Sequence, residues 1–134
     1  MLDAQAALVY IMVMASAADR EMTDSELMTI GDIVRHLPAF RDFDAEQLPS
    51  TAAACAERLN ADDGLDAMLD DVREALPARL RETAYALACD IVAADGTASQ
   101  EELRMLEMIR HRLDIPRLSA AAIEHGARVR HTSA

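Results

Sequence analysis

The sequence predicts an all-α domain, a compact bundle of about seven helices with an internal pseudo-two-fold helix-turn-helix repeat. Apolar residues make up 51% of the chain but aromatic residues only 3%, so Ala, Leu, Ile, Val and Met must fill the core. Such a core suits helix–helix packing better than a sheet, which favours β-branched and aromatic residues. The four Gly and four Pro are also too few for an architecture of many strands and turns.

The first two predicted helices are joined by a short acidic turn. Helix 1 covers about residues 3–18 and is apolar nearly all round, which is typical of a buried helix. After the turn, Thr23 and Glu26 form a capping box that begins helix 2. In this motif the hydroxyl and the carboxylate each accept a hydrogen bond from a backbone N–H at the helix start. Pro38 ends helix 2.

Three helices are predicted in the middle of the chain. Helix 3 reaches Leu59, and Pro49 is a candidate interruption of it. Helix 4 covers about residues 63–76, where apolar residues recur at spacings of three and four. Pro77 separates it from helix 5, which runs to Ala94.

Two further helices complete the prediction. Gly96 ends helix 5, because Gly fits the left-handed position beyond a helix C-terminus. A second capping box over residues 99–102 begins helix 6, which reaches about Leu113. Helix 7 is expected over residues 116–126 and fades near its last residue.

The chain is predicted to be one cytoplasmic domain over residues 1–127, followed by a frayed tail over residues 128–134. Its start has neither the basic region nor the small-residue cleavage site of a secretory signal. The uncharged run over residues 4–18 is shorter than the roughly 20 apolar residues that span a bilayer, so no membrane insertion is expected. Cys55 and Cys89 are isolated and flanked by alanine, which indicates buried, reduced thiols.

The charge of the chain restricts the classes of partner. The 24 acidic residues outnumber the 13 basic ones, all of them Arg, for a net charge of −11. Affinity for nucleic acid and for anionic lipid comes mainly from basic side chains that meet phosphates, so neither is an expected partner. Divalent cations and basic surfaces of partner proteins are the expected ones.

A shift of 76 positions superimposes two segments of the chain. Each segment has an Ala-Ala-Asp helix end, a capping Thr or Ser, a Glu and then an aliphatic stripe. The matched pairs are Asp19 with Asp95, Thr23 with Ser99, Glu26 with Glu102, Ile30 with Leu106, Ile33 with Ile109, and Leu37 with Leu113. The sequence therefore predicts two related helix-turn-helix units.

Both units place an Asp where the backbone disfavours it. Asp19 and Asp95 follow helices whose C-terminal carbonyls carry partial negative charge. A divalent cation held by Asp19 with Glu26, or by Asp95 with Glu102, would remove this conflict. The alternative is purely structural, because a Glu at this position of a capping box bonds back to the cap. The residues alone leave both interpretations open.

The second turn imitates a calcium loop only in part. Asp95, Gly96 and Glu102 match positions 5, 6 and 12 of an EF-hand. Positions 1 and 3 would be Ile91 and Ala93, which cannot be ligands, so a true EF-hand is excluded. Ca²⁺ is still the most plausible ion, since all the candidate ligands are oxygens.

Asp90 is the single charged residue between Thr83 and the end of helix 5. An unpaired buried carboxylate would take up a proton or destabilise the fold. Asp90 is therefore either solvent-facing, or paired with a group such as an Arg, or an additional metal ligand.

These residues resemble the TerB-type tellurite-resistance family. The pattern over residues 93–96 and 99–103, preceded by an Ala-rich helix, is similar to the second half of TerB domains. The resemblance covers about residues 4–115 and includes the weaker first copy of the repeat. A related domain occurs in some DnaJ-like co-chaperones, but no J-domain is present here.

The resemblance implies a seven-helix bundle, an acidic surface that chelates divalent metal, and a role in stress-linked complexes rather than catalysis. The metal candidates carried over onto this chain are Asp19, Glu26, Asp95 and Glu102, with Asp90 as an additional candidate. The chain departs from the family pattern at Arg20, where a Gly is expected. A guanidinium there opposes a cation, so the second turn is the better candidate site.

The sequence also supports an alternative in which the protein is a metal-independent interaction scaffold. Asp62, Asp66, Asp70 and Glu74 recur every four residues on helix 4 and form one acidic stripe. Such a stripe is either a solvated face or a docking surface for a basic partner. Catalysis is not expected, because the sequence has no phosphate-binding loop, nucleophile elbow or Ser/His/Asp combination.

Overall fold

The computed structural model describes residues 2–18, 22–94 and 96–134. These residues form seven α-helices with no β-strand among them, so the prediction of an all-α bundle is confirmed. The helices are α1 (Ala4–Ser16), α2 (Asp24–His36), α3 (Leu48–Leu59), α4 (Gly64–Ala75), α5 (Ala78–Ala94), α6 (Gln100–Arg112) and α7 (Arg117–Arg130). Two short 3-10 helices, Pro38–Phe40 and Ala45–Gln47, connect α2 to α3.

Helix α1 lies at the centre of the core. All of its residues from Ala7 to Ser16 are buried, as its apolar sequence predicts. It contacts α2, α3, α4, α5 and α6, so it is surrounded on every side. Full burial of side chains such as Leu8 and Ile11 contributes roughly 2 kcal/mol each. The Asp3 carboxylate caps its start by accepting the Ala6 N–H at 2.8 Å.

Helix α5 is the second central helix and packs between α1 and α7. Ala84 and Ala88 are fully buried and lie four residues apart, on one face of the helix. Their small side chains permit close approach of neighbouring helices, which suits a core with so few aromatic residues. Helix α5 also contacts α6, so α6 and α7 both lie against α5.

The predicted end of the last helix was wrong. Helix α7 continues past Gly126 to Arg130, so residues 128–130 are helical rather than part of a frayed tail. Two contacts explain the extension. Ala127 is buried, and Arg130 forms an ion pair with Asp90 on α5.

The other helix ends lie within two or three residues of the predicted ones. Pro49 does not interrupt α3 but occupies its first turn, where the missing N–H of proline costs no hydrogen bond. Asp63 precedes α4 with a left-handed φ of 55°. In the described part of the chain, no helix combines the length and the hydropathy needed to cross a membrane.

Candidate functional site

The turn between α5 and α6 carries the stronger candidate site. Gly96 has a left-handed φ of +85°, as predicted for a glycine that ends a helix. Its N–H donates to the Ala93 carbonyl at 3.1 Å, which closes the turn. Asp95, the predicted metal ligand between these two residues, lies outside the described residues.

Glu102 occupies the capping box at the start of α6. Its Oε1 accepts the Ser99 N–H at 2.9 Å, and the Glu102 N–H donates to the Ser99 hydroxyl at 3.0 Å. Only 5% of Glu102 is exposed, an unusually low value for a glutamate on a surface turn. The prediction that Glu102 caps the start of α6 is therefore confirmed.

The turn before α2 has the same local geometry. Oε1 of Glu26 accepts the Thr23 N–H at 2.8 Å, and the Glu26 N–H donates to the Thr23 hydroxyl at 3.1 Å. Glu26 is 6% exposed. Asp19, its predicted partner in metal binding, and Arg20 lie outside the described residues.

The capping role of Glu102 does not exclude a second role. A carboxylate has two oxygens with about four acceptor sites, and the cap uses Oε1. Within residues 2–18, 22–94 and 96–134, however, no three His, Cys, Asp or Glu side chains lie close enough together to hold an ion. Glu26, Asp90 and Glu102 thus do not form one cluster, and each candidate turn depends on its own Asp.

Asp90 is paired across the bundle with the end of α7. Its Oδ1 accepts from Nη2 of Arg130 at 2.6 Å, and Nε2 of His131 lies 3.5 Å from the same oxygen. The carboxylate side chain is 24% exposed. An Arg partner was one of the alternatives for this residue, and Arg130 provides it.

The acidic stripe of α4 is partly neutralised by an arginine of α6. Nη2 of Arg112 lies 3.0 Å from Asp66, and Nη1 lies 2.8 Å from Asp70. Beside them, Arg73 pairs with Asp114 at 2.5 Å. The stripe is therefore a mixed-charge surface around Arg112 rather than a purely acidic face.

Both thiols are buried, as the sequence predicted. Burial raises the pKa of Cys55 to about 12, although nearby Arg58 opposes the shift. Burial also raises the pKa of Cys89 to about 12, despite an opposing hydrogen bond with Tyr85. Thiols with such pKa values are not activated nucleophiles at neutral pH.

A pocket of about 740 Å³ opens between α5, α6 and the end of α7. Sequence reasoning missed it, because no single helix reveals a groove between three. Its apolar wall includes Val92, Leu103 and Leu106. Leu103, which follows the capping Glu102 on α6, is 50% exposed. Gly96 also lines the pocket, so the candidate metal turn forms part of its wall.

A comparison with known protein families identifies the family of this chain. The family described as "Tellurite resistance protein TerB" matches residues 5–125, which is most of the chain. The chain belongs to the TerB family. The predicted resemblance to the TerB family is therefore confirmed, and the chain is a helical domain of the tellurite-resistance type. No curated protein and no solved structure matches the chain.

Proposed function

We propose that this TerB-family domain is a non-enzymatic acidic module that binds a divalent cation, with Ca²⁺ as the expected ion. It acts in a cytoplasmic tellurite-resistance or stress-response complex with a protein partner. The second turn is the proposed site, with Asp95 and Glu102 as ligands. The single observation that carries the proposal is the burial of Glu102, a residue only 5% exposed, seven residues after Asp95.

Two physical arguments support this site. Carboxylate oxygens are the ligands that Ca²⁺ prefers, and water and backbone carbonyls complete its shell of six to eight ligands. The left-handed Gly96 also turns the chain sharply between the two acidic positions. In the first turn Arg20 stands where the second turn has Gly96, so Asp19 and Glu26 form the weaker site.

Family membership and the state of the thiols support a non-enzymatic role. The two cysteines have raised pKa values, which makes them poor nucleophiles. The sequence also has no motif that indicates the paired acid and base groups typical of enzyme active sites. Asp90 is the least favoured of the candidate ligands, because Arg130 already neutralises it.

The test is calorimetric titration of chelator-treated protein with CaCl₂. The double variant Asp95→Asn, Glu102→Gln should weaken Ca²⁺ binding about tenfold or more, because it removes two charged ligands. Gln keeps an acceptor for the capping bond, so the thermal midpoint without Ca²⁺ should barely change. The matched control is Asp62→Asn, Glu74→Gln, which makes the same change of charge at two exposed positions. Equal binding by wild type and the Asp95/Glu102 variant would contradict the site.

The alternative is a metal-independent scaffold that docks a basic partner on α4. It is favoured by the exposure of Asp66 and Asp70, each 70% exposed at the side chain. It is weakened by Arg112, which already supplies positive charge to both. This alternative predicts a thermal midpoint that is the same in Ca²⁺ and in EDTA, and partner binding that weakens as salt is added.

A further inference from the structure

The pocket between α5, α6 and α7 has an apolar body. Val92 and Ala127 form its buried part, and Leu103 and Leu106 form the wall on α6. Its volume of about 740 Å³ lies inside the range of about 300–1,000 Å³ found for small-molecule sites. The half-exposed Leu103 is a large aliphatic side chain that faces this space without being covered. An apolar segment of a ligand would cover the Leu103 side chain and exclude water from it.

Two arginines at the pocket have no carboxylate partner within the part of the chain that the structure describes, whereas several arginines elsewhere on the protein do. Arg58, Arg73, Arg112 and Arg130 each pair with a carboxylate at 3.0 Å or less. Arg110 and Arg128 line the pocket, and among the described residues no carboxylate lies within ion-pair distance of either.

The nitrogens that these two guanidinium groups do contact belong to histidine rings. Nη2 of Arg110 lies 3.3 Å from Nε2 of His111, and Nη2 of Arg128 lies 3.2 Å from Nδ1 of His125. A guanidinium has five N–H donors, so each retains donors for a ligand.

The described carboxylates that line the pocket form no ion pairs with Arg110 or Arg128. Glu124 accepts the Tyr85 hydroxyl at 2.5 Å, which ties it to α5. Glu107 is the second carboxylate of the lining. Among the described residues, the pocket lining thus holds two arginines and two glutamates that form no ion pairs with one another, together with His131. More distant carboxylates are screened beyond about 8 Å at physiological salt.

We propose that this pocket binds a small amphipathic organic anion, a free carboxylic acid with an aliphatic body. The aliphatic part packs on Val92, Leu103 and Leu106, and the carboxylate accepts hydrogen bonds from Arg110 and Arg128. Arg–carboxylate bonds supply the orientation and the wall supplies the burial of apolar surface. The site adjoins the proposed cation turn at Gly96 but uses neither Asp95 nor Glu102, and its binding requires no metal.

The test uses three ten-carbon probes that share one chain and differ in the head group: decanoate, decanol and decyltrimethylammonium. Decanoate and decyltrimethylammonium are titrated into the full chain below their micelle concentrations, and decanol below its solubility limit. All titrations are in EDTA, with binding followed by calorimetry and by shifts of the leucine methyl resonances. Decanoate should bind most tightly, and decyltrimethylammonium most weakly. Because EDTA removes divalent cations, this titration does not depend on the proposed cation site. The proposal for the pocket and the proposal for the cation site can therefore fail independently.

Variants identify the groups responsible. Arg110→Gln with Arg128→Gln should weaken decanoate binding about tenfold and leave decanol within about twofold. Glu107→Gln should strengthen decanoate binding about threefold, because it removes a nearby like charge. The matched control is Arg117→Gln with Arg104→Gln, which removes two exposed arginines outside the pocket.

A second pair of variants tests the wall. Leu103→Ala should weaken decanoate and decanol alike, whereas Leu118→Ala, an 85% exposed leucine outside the pocket, should weaken neither. Circular dichroism checks that each variant is folded. The proposal is overturned if decanoate does not bind, if it binds no better than decyltrimethylammonium, or if the control pair weakens it as much as the pocket pair. Retention on phosphatidylglycerol vesicles without binding of free decanoate would overturn it as well.

Discussion

Arg130 at the end of α7 donates to Asp90 on α5, with 2.6 Å between Nη2 and Oδ1. The two residues are 40 positions apart in the chain, so the bond ties the last helix to a central one. It neutralises a carboxylate in an otherwise uncharged stretch of α5. The same contact explains why α7 continues past Gly126.

Removal of this ion pair should loosen the end of α7. Arg130→Gln should lower the free energy of unfolding by about 1 kcal/mol, a modest value because the two side chains are 56% and 24% exposed. A double-mutant cycle with Asp90→Asn, followed by urea denaturation, measures the coupling. Additive effects of the two substitutions would show that the pair contributes nothing to stability.

The capping boxes and the Asp90 pair show what the sequence could and could not predict. Ser99 and Glu102 lie three residues apart, so their bonds follow from local spacing alone. Arg130 could not be identified as the partner of Asp90, because the pairing depends on how α7 packs across α5. The pocket was missed for the same reason, since the groove beside Leu103 is formed only when three helices pack together.

Arg112 should stabilise the contact between α4 and α6. Arg112→Gln leaves Asp66 and Asp70, one helical turn apart, without their shared cation, and should cost about 1 kcal/mol of stability. The difference from wild type should shrink in 1 M NaCl, where charges are screened within about 3 Å. Arg79→Gln, at an exposed position of α5, is the control. A loss of stability that is independent of salt would assign the effect of Arg112 to packing instead.

Two glycine substitutions should have opposite effects on stability. A Cβ at Gly64 would lie 2.0 Å from the Arg58 carbonyl oxygen, so Gly64→Ala should destabilise the protein by about 2 to 4 kcal/mol. At Gly126, inside α7, a Cβ meets only the flexible end of Arg130 at 3.2 Å. Gly126→Ala should stabilise the protein by about 0.5 kcal/mol, because alanine favours the helix. Urea denaturation measures the free energy of unfolding of both variants. A loss of stability for Gly126→Ala as large as for Gly64→Ala would contradict this account of the two sites.

The buried thiols should make the protein sensitive to alkali. An unfolded cysteine has a pKa of about 9, and burial raises the pKa of both Cys55 and Cys89 to about 12 in the folded protein. Above pH 9 the unfolded chain therefore loses protons that the folded chain keeps, and stability falls as pH rises towards 12. Two thiols together should cost about 2 to 3 kcal/mol between pH 8 and pH 10.

The range from pH 8 to pH 10 is well suited to the measurement. None of the 13 basic residues is lysine, so few other groups titrate in this range. Tyr85, whose pKa is also raised by burial, adds its effect mainly above pH 10. Urea denaturation under reducing conditions at pH 8 and pH 10 should show the loss in wild type. The variant Cys55→Ala, Cys89→Ala starts from lower stability but should keep most of it over this range. If the variant lost as much as wild type, the proton linkage would lie in other groups.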